Sequence, residues 1–123
     1  MANPNLLGII NVTGVTTNVG LTTTPVTVLS NAAASGAAYK IISILASNKN
    51  GVSNGNIDIF LNNQAAGAGS STHITKAVTV SAGSMLIVLD KNNPLYLTEN
   101  KSLVSMASTS NTIDITVVYE NIS

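Results

Sequence analysis

The chain has 123 residues, enough for one compact domain built on one core, so residues 1–123 are read as a single domain. Apolar residues make up 45% of it and charged residues only 8%, with a formal net charge of zero and no arginine. The bidentate phosphate and base readers of a nucleic-acid binder are therefore missing, and the surface must be built from Ser, Thr and Asn.

The opening stretch "MANPNLLGIINVTG" has no basic leader, and Asn11 and Thr13 break its apolar run, so no signal peptide is expected. No segment reaches the roughly 18 apolar residues of a membrane span. The expected setting is a cytoplasm, with no membrane partner. From there the periodicity is two and the segments are short. "LLGIINVTGV", "PVTVLSN" and "YKIISILAS" read as strands separated by Asn, Gly, Ser and Pro, and the alanine cluster "NAAASGAAY" reads as a loop because Gly36 and its polar flanks disfavour a helix. "NIDIFL" places Ile57, Ile59 and Leu61 on one face and Asp58, Phe60 and Asn62 on the other. "HITKAVTV", "SMLIVLD", "PLYLT" and "SLVSMAS" follow. The last strand, "TIDITVVY", sets Ile113, Ile115, Val117 and Tyr119 against Asp114, Thr116 and Val118.

About eight such strands joined by glycine-rich turns predict an all-β chain, an antiparallel β-sandwich of jelly-roll-like form. In two strands the alternation fails. "YKIISIL" is apolar on both faces, with Ile42 and Ile44 opposite Tyr39, Ile41 and Leu45, and "SMLIVLD" sets Met85, Ile87 and Leu89 against Leu86 and Val88. One face of each is either covered by a loop or is a subunit contact, which makes Ile42 and Ile44 candidate interface residues. A chain with so little charge has little repulsion between its copies, which favours a homo-oligomer.

Catalytic chemistry finds few residues to use. Cysteine is absent and His73 is the one histidine, so thiolate zinc sites and disulfides are excluded and His73 is read as an exposed edge-strand residue. Asp58 and Asp114 are able by parity to face each other on neighbouring strands as a glycosidase pair, although solvent-side positions suit them better. "GAGSS" lacks the lysine and helix of a phosphate loop, and "NKNGVSNGN" lacks the carboxylates of a calcium loop; both read as flexible loops. Asp90, Lys91, Glu99 and Lys101 in "LDKNNPLYLTENKSL" read as solvated turn positions around a short strand. No catalytic residue, metal or cofactor is expected. Within that short strand Leu97 should face inward and Tyr96 outward, which makes Tyr96 the candidate aromatic anchor for a partner. Glycan binding is weaker, since Tyr39, Tyr96, Tyr119 and Phe60 are the only aromatic platforms.

The order of elements also carries a resemblance. "GVTTNVGLTTTPVTVLSN" is followed by "YKIISILASNKNG", "NIDIFL" and "VTVSAGSMLIVLDKNNPLYLTENKSLVSMASTSNTIDITVVYENIS". Through Tyr39 and Lys40, Ser81 to Ser84, Leu89 to Lys91, Leu95 to Leu97, Ser102 and Leu103, and Val118 to Ile122, this pattern resembles small structural proteins of tailed phages, especially phages of cyanobacteria. One departure is "TENKSL", where related chains tend to carry glycine with an acidic residue; Asn100 can take the left-handed position that glycine would. The resemblance implies a non-enzymatic virion component assembled in the host cytoplasm. Foremost is a capsid cement or decoration subunit that binds the major capsid protein and copies of itself, with a trimer suggested by analogy. A neck, tail or baseplate component and a glycan-binding host-recognition module are the alternatives.

Overall fold

The computed structural model describes residues 11–123. Nine strands account for the regular structure: β1 (Val12–Gly20), β2 (Val26–Asn31), β3 (Ala38–Asn48), β4 (Gly55–Asn62), β5 (Ser71–Val80), β6 (Met85–Leu89), β7 (Leu95–Leu97), β8 (Lys101–Ala107) and β9 (Ile113–Ile122). Part of the first expected strand, residues 6–10, lies outside the described residues. Its described part continues to Gly20, because Val15, Thr17 and Val19 keep the alternation going against β9.

The strands form two antiparallel sheets, one ordered β1-β9-β3-β6 with β7 also on β3, the other ordered β2-β8-β4-β5. β6 pairs with Ile44 to Ser47 of β3 and β7 with Tyr39 to Ile41, so the two act as one strand interrupted by a turn. Counted that way, the arrangement is an eight-stranded jelly roll. The turn is made by Asp90, whose Oδ1 accepts the Asn92 N–H at 2.9 Å and whose carbonyl accepts the Asn93 N–H at 3.1 Å. Between the sheets lie Leu21, Ile41, Ile44, Ile57, Ile59, Leu97, Leu103, Ile113, Ile115 and Val117, all fully buried. Each such side chain contributes roughly 1.5–3 kcal/mol by leaving water, and with no cysteine in the chain this packing is what holds the sheets together.

The parity expected for β9 and for Leu97 holds, but that of β3 does not. Ile41 is paired with Tyr119 and Ser43 with Val118, so Ile42 is an extra residue in a β-bulge. The bulge resets the alternation and turns Ile44 inward with Ile41. Ile44 is therefore a core residue with no exposed surface and not an interface residue, while Ile42 is half-buried at the bulge.

Loop geometry depends on three asparagines, each the last residue of its strand. Asn31 donates to the carbonyls of Ala37 and Leu97, both at 2.9 Å. Asn48 donates to the carbonyls of Ser53 and Val80 at 3.0 Å and accepts the Asn50 N–H at 2.9 Å. Asn62 donates to the carbonyls of Gly67 and Gly69 and to Ser71 Oγ, and accepts from the amides of Gln64 and Gly69. Burial of each carboxamide is offset because it satisfies backbone groups that a loop otherwise leaves unpaired. "NNQAAGAGSS" is thus a hydrogen-bonded cover and not a free loop. It folds over the outer face of the second sheet, where Ser30 Oγ donates to the Ala65 carbonyl and Ser102 Oγ to that of Gln64, both at 2.7 Å. At Gly67 the backbone has φ +75° and comes so near that a Cβ would sit 3.0 Å from Thr27 Oγ1. Phe60 and Val104, on that outer face by register, are buried.

Glu99 departs from the solvated turn expected for it. It is only 8% exposed, and its Oε2 accepts the Gly36 N–H at 3.3 Å, because the β2–β3 loop packs onto the β7–β8 turn through Asn31. Asn100 takes the left-handed conformation expected of it, with φ 58°.

Candidate functional site

Among the described residues, no such cover lies over the β6–β7 edge on the outer face of the five-stranded sheet. Register places side chains on it row by row. Met85 stands beside Ser47 and Asp114, Ile87 beside Leu45 and Thr116, and Tyr96 beside Lys40 and Glu120. Met85 is 56% exposed, Ile87 57% and Tyr96 42%. Leu45 and Val118, half-buried on the same face, fill in between, so the exposed residues belong to one apolar strip along the edge and are not scattered. On the inner side of the same strand Leu86, Val88 and Leu89 pack against the core, which explains why "SMLIVLD" is apolar on both faces. Of the candidate interface residues, Tyr96 lies on the strip and Ile44 does not, while Met85 and Ile87, on the other two-faced strand, are exposed beside it. Their signal in the sequence is the two-faced apolar pattern of "SMLIVLD"; which of its faces is exposed follows from the register alone. Farther along the face, Asn18, Val19, Gly20, Ser47, Asp114 and Thr116 line a shallow depression of about 480 Å³. Its one charged lining residue, Asp114, is joined to Lys49 at 3.2 Å, so the depression presents a neutralised pair on a polar floor.

The titratable residues do not converge. Asp58 lies on the outer face of the four-stranded sheet and Asp114 on the outer face of the five-stranded sheet, so the two carboxylates point away from each other across the sandwich. Retaining and inverting glycosidases both need their carboxyls about 5–9.5 Å apart on one groove, so the pairing considered from parity is corrected. Asp58 Oδ1 instead accepts the Ala77 N–H at 2.7 Å, fixing the left-handed residue of a bulge in β5. His73 stands on edge strand β5, partly exposed, with Nε2 3.8 Å from Asp58 Oδ2 and its ring edge-on to Phe60 at 4.5 Å. Among the described residues no hydroxyl bonds to His73, so the His–Asp contact has no nucleophile to activate. Among them, too, no group of three or more His, Cys, Asp or Glu is placed to hold a metal ion. In "NKNGVSNGN" the side-chain oxygens of Asn48, Asn50 and Asn54 accept backbone N–H groups of Asn50, of Val52 and Ser53, and of Ala82. The loop is organised by amides, with its oxygens turned to the chain itself.

Three of the four aromatics are withdrawn. Tyr39 and Tyr119 stack in a tilted pair with centroids 5.0 Å apart on the inner side of the sheet, and Phe60 is buried on the outer face of the other sheet, between Val104 and His73 by register. The Tyr119 phenol is held above its ordinary pKa of 10.0, first by burial and then by the neighbouring Tyr39. Tyr96 alone offers a ring at the surface. A scan of protein-family models and a search of curated proteins match nothing in this chain.

Proposed function

We propose that the chain is a non-enzymatic structural subunit of a tailed-phage particle, foremost a cement or decoration protein bound to the major capsid protein and to copies of itself. The observation that carries this reading is the apolar strip of Met85, Ile87 and Tyr96, exposed along one edge of the five-stranded sheet with half-buried Leu45 and Val118 between them. Aromatic and apolar residues in a weakly charged surround are what a protein interface uses as anchors. The element order resembles that of phage structural proteins, and jelly rolls occur in viral shells. They also occur in lectins, so the fold by itself decides nothing between these roles. Of the alternatives, attachment at the neck, tail or baseplate would use the same strip. A glycan module would have a single surface tyrosine as its platform.

The deciding experiment is detection and imaging of the chain in purified virions of the phage that encodes it. Regular density of this fold on the outside of the shell is the expected result. Density at the neck or tail transfers the reading to the alternative, and absence of the chain from the particle sinks both.

A further inference from the structure

A β-sheet edge exposes a row of unpaired N–H and C=O groups, and proteins that stay apart blunt their edges with bulges, proline, lysine or short strands. The sandwich has four edges, and three are blunted. β2 follows Pro25 and has Val28 as an extra residue against β8. β5 carries two register shifts against β4, with Lys76 and the left-handed Ala77 between its ends. The β6–β7 edge is short, bulged at Val88 and broken by the turn that ends at Pro94.

β1 has none of these devices. Its nine residues, "VTGVTTNVG", contain no charge and no proline, and they pair with β9 from Val12↔Ile122 to Gly20↔Asp114 without a shift. The flanking bonds fix which groups are free: Asn11 exchanges both hydrogen bonds with Ser123, and the Leu21 N–H donates to the Ile113 carbonyl. Odd-numbered residues therefore bond to β9, and the N–H and C=O of Val12, Gly14, Thr16, Asn18 and Gly20 point outward, where no described residue bonds them. Among the described residues nothing requires the small residue at Gly14, since a Cβ there would meet nothing within 4 Å; a glycine in such a strand suits close approach of a second backbone.

We infer that β1 is the edge through which two copies of this chain pair, antiparallel, continuing the two five-stranded sheets into one. The register that uses the whole strand centres a two-fold axis on Thr16, with Val12 opposite Gly20 of the second copy and Thr16 opposite Thr16. In it every outward N–H and C=O finds a partner. A second copy is the occupant favoured by charge: β1 against itself brings no charged residue opposite another in any register, and the chain as a whole has no net charge to oppose the approach. Such a contact is isologous and closes at two copies, in place of the threefold arrangement suggested by analogy. It is independent of the particle reading and of the Met85–Tyr96 strip, which lies at the opposite edge of the sheet.

The test combines sedimentation of the purified chain with residue-resolved amide exchange. Expected are a dimer mass at high concentration, slow exchange at Gly14, Thr16 and Asn18 that becomes fast on dilution, and a halved mass for Thr16→Pro. That proline removes only outward N–H groups and leaves the β9 ladder whole. If Thr16→Pro fails to fold, Thr16→Lys, which sets like charges directly opposite across the axis, must give the monomer. A wild-type chain that stays monomeric with fast exchange at these amides overturns the proposal, as does a dimer that survives both variants. Protection of these amides only on virions, with the free chain monomeric, would mean that a strand of another protein is the occupant, and would overturn it equally. A dimer of this kind that is absent from virions keeps the inference and sinks the particle reading.

Discussion

Asn31, Asn48 and Asn62 show how a polar side chain earns a buried place. In "VLSN", "LASN" and "FLNN" each stands where a strand gives way to a loop: by sequence Asn62 belongs to the outer face of its strand, Asn31 to the end of "PVTVLSN" and Asn48 to the start of a loop. Side-chain type predicts the loop, but it does not show which backbone groups need the carboxamide once the loop folds back. For Asn62 they are the carbonyls of Gly67 and Gly69 and the amides of Gln64 and Gly69. Asn62→Ala should therefore cost several times a single buried unsatisfied group, each worth about 1–3 kcal/mol, discounted for whatever water reaches. Chemical denaturation measures the loss, and limited proteolysis should begin to cut between residues 63 and 70. A variant as stable and as protease-resistant as the parent would show that the cover loop holds without its anchor. Tyr119 gives a second residue-scale prediction. Its phenol is raised above 10.0, so the folded state favours the protonated form more than the unfolded state does. The corresponding stability is complete below the unfolded value and is lost as pH rises through the raised folded value. In alkaline titration, phenolate absorbance should include a component above the usual tyrosine range that is missing from Tyr119→Phe. The fall of stability above pH 10 should be shallower in that variant, and an identical pair of curves would refute the assignment.

At the scale of elements, what was legible depended on whether a strand keeps its count. β9 has no extra residue, and its two faces are as the alternation of "TIDITVVY" places them. β3 carries the bulge at Ile42, and a count of two cannot register an inserted residue, so every position beyond it was assigned to the wrong face, Ile44 among them. Phe60 shows the complementary failure. Its face was right, but its burial is not set by the alternation of "NIDIFL": Val104 of β8 and His73 of β5 flank it by register, and the loop over this face is held down by Ser30 and Ser102 of distant strands. The bulge makes a strong prediction. Deleting Ile42 forces either Ala38 to Ile41 or Ser43 to Asn48 onto the wrong face, because a one-residue slip inverts the alternation. The deletion should abolish cooperative folding, whereas Ile42→Ala, which keeps the count, should cost far less. Near-UV circular dichroism and a melting curve of the two proteins are sufficient. A deletion that still melts cooperatively near the parent would show that β3 can re-register.

For the whole molecule, the two outer faces have opposite fates. One carries the chain's own loop, and on the other an apolar strip is exposed among the described residues, on the sheet that holds both strands whose alternation fails. That asymmetry separates folding from attachment. Met85 and Ile87 are more than half exposed and lie on the side of β6 away from the core, so little area is lost to the fold if they become polar. Met85→Ser with Ile87→Thr keeps a β-branched residue in the strand and should change the melting temperature little, since substitutions at such surface positions are usually within about 0.5 kcal/mol. Tyr96→Ala, on the same face, should behave alike. If the strip is the attachment surface, these variants should lose binding to particles that lack the protein while remaining folded, because exposed aromatic and apolar anchors carry most of an interface's energy. Leu97→Ala supplies the contrast from the adjacent position: its side chain is fully buried, and truncation should cost on the order of 2–5 kcal/mol. Binding of the folded strip variants at parental affinity would remove Met85, Ile87 and Tyr96 from the interface. Loss of stability in those variants to the extent of Leu97→Ala would mean instead that the strip is part of the monomer's own packing.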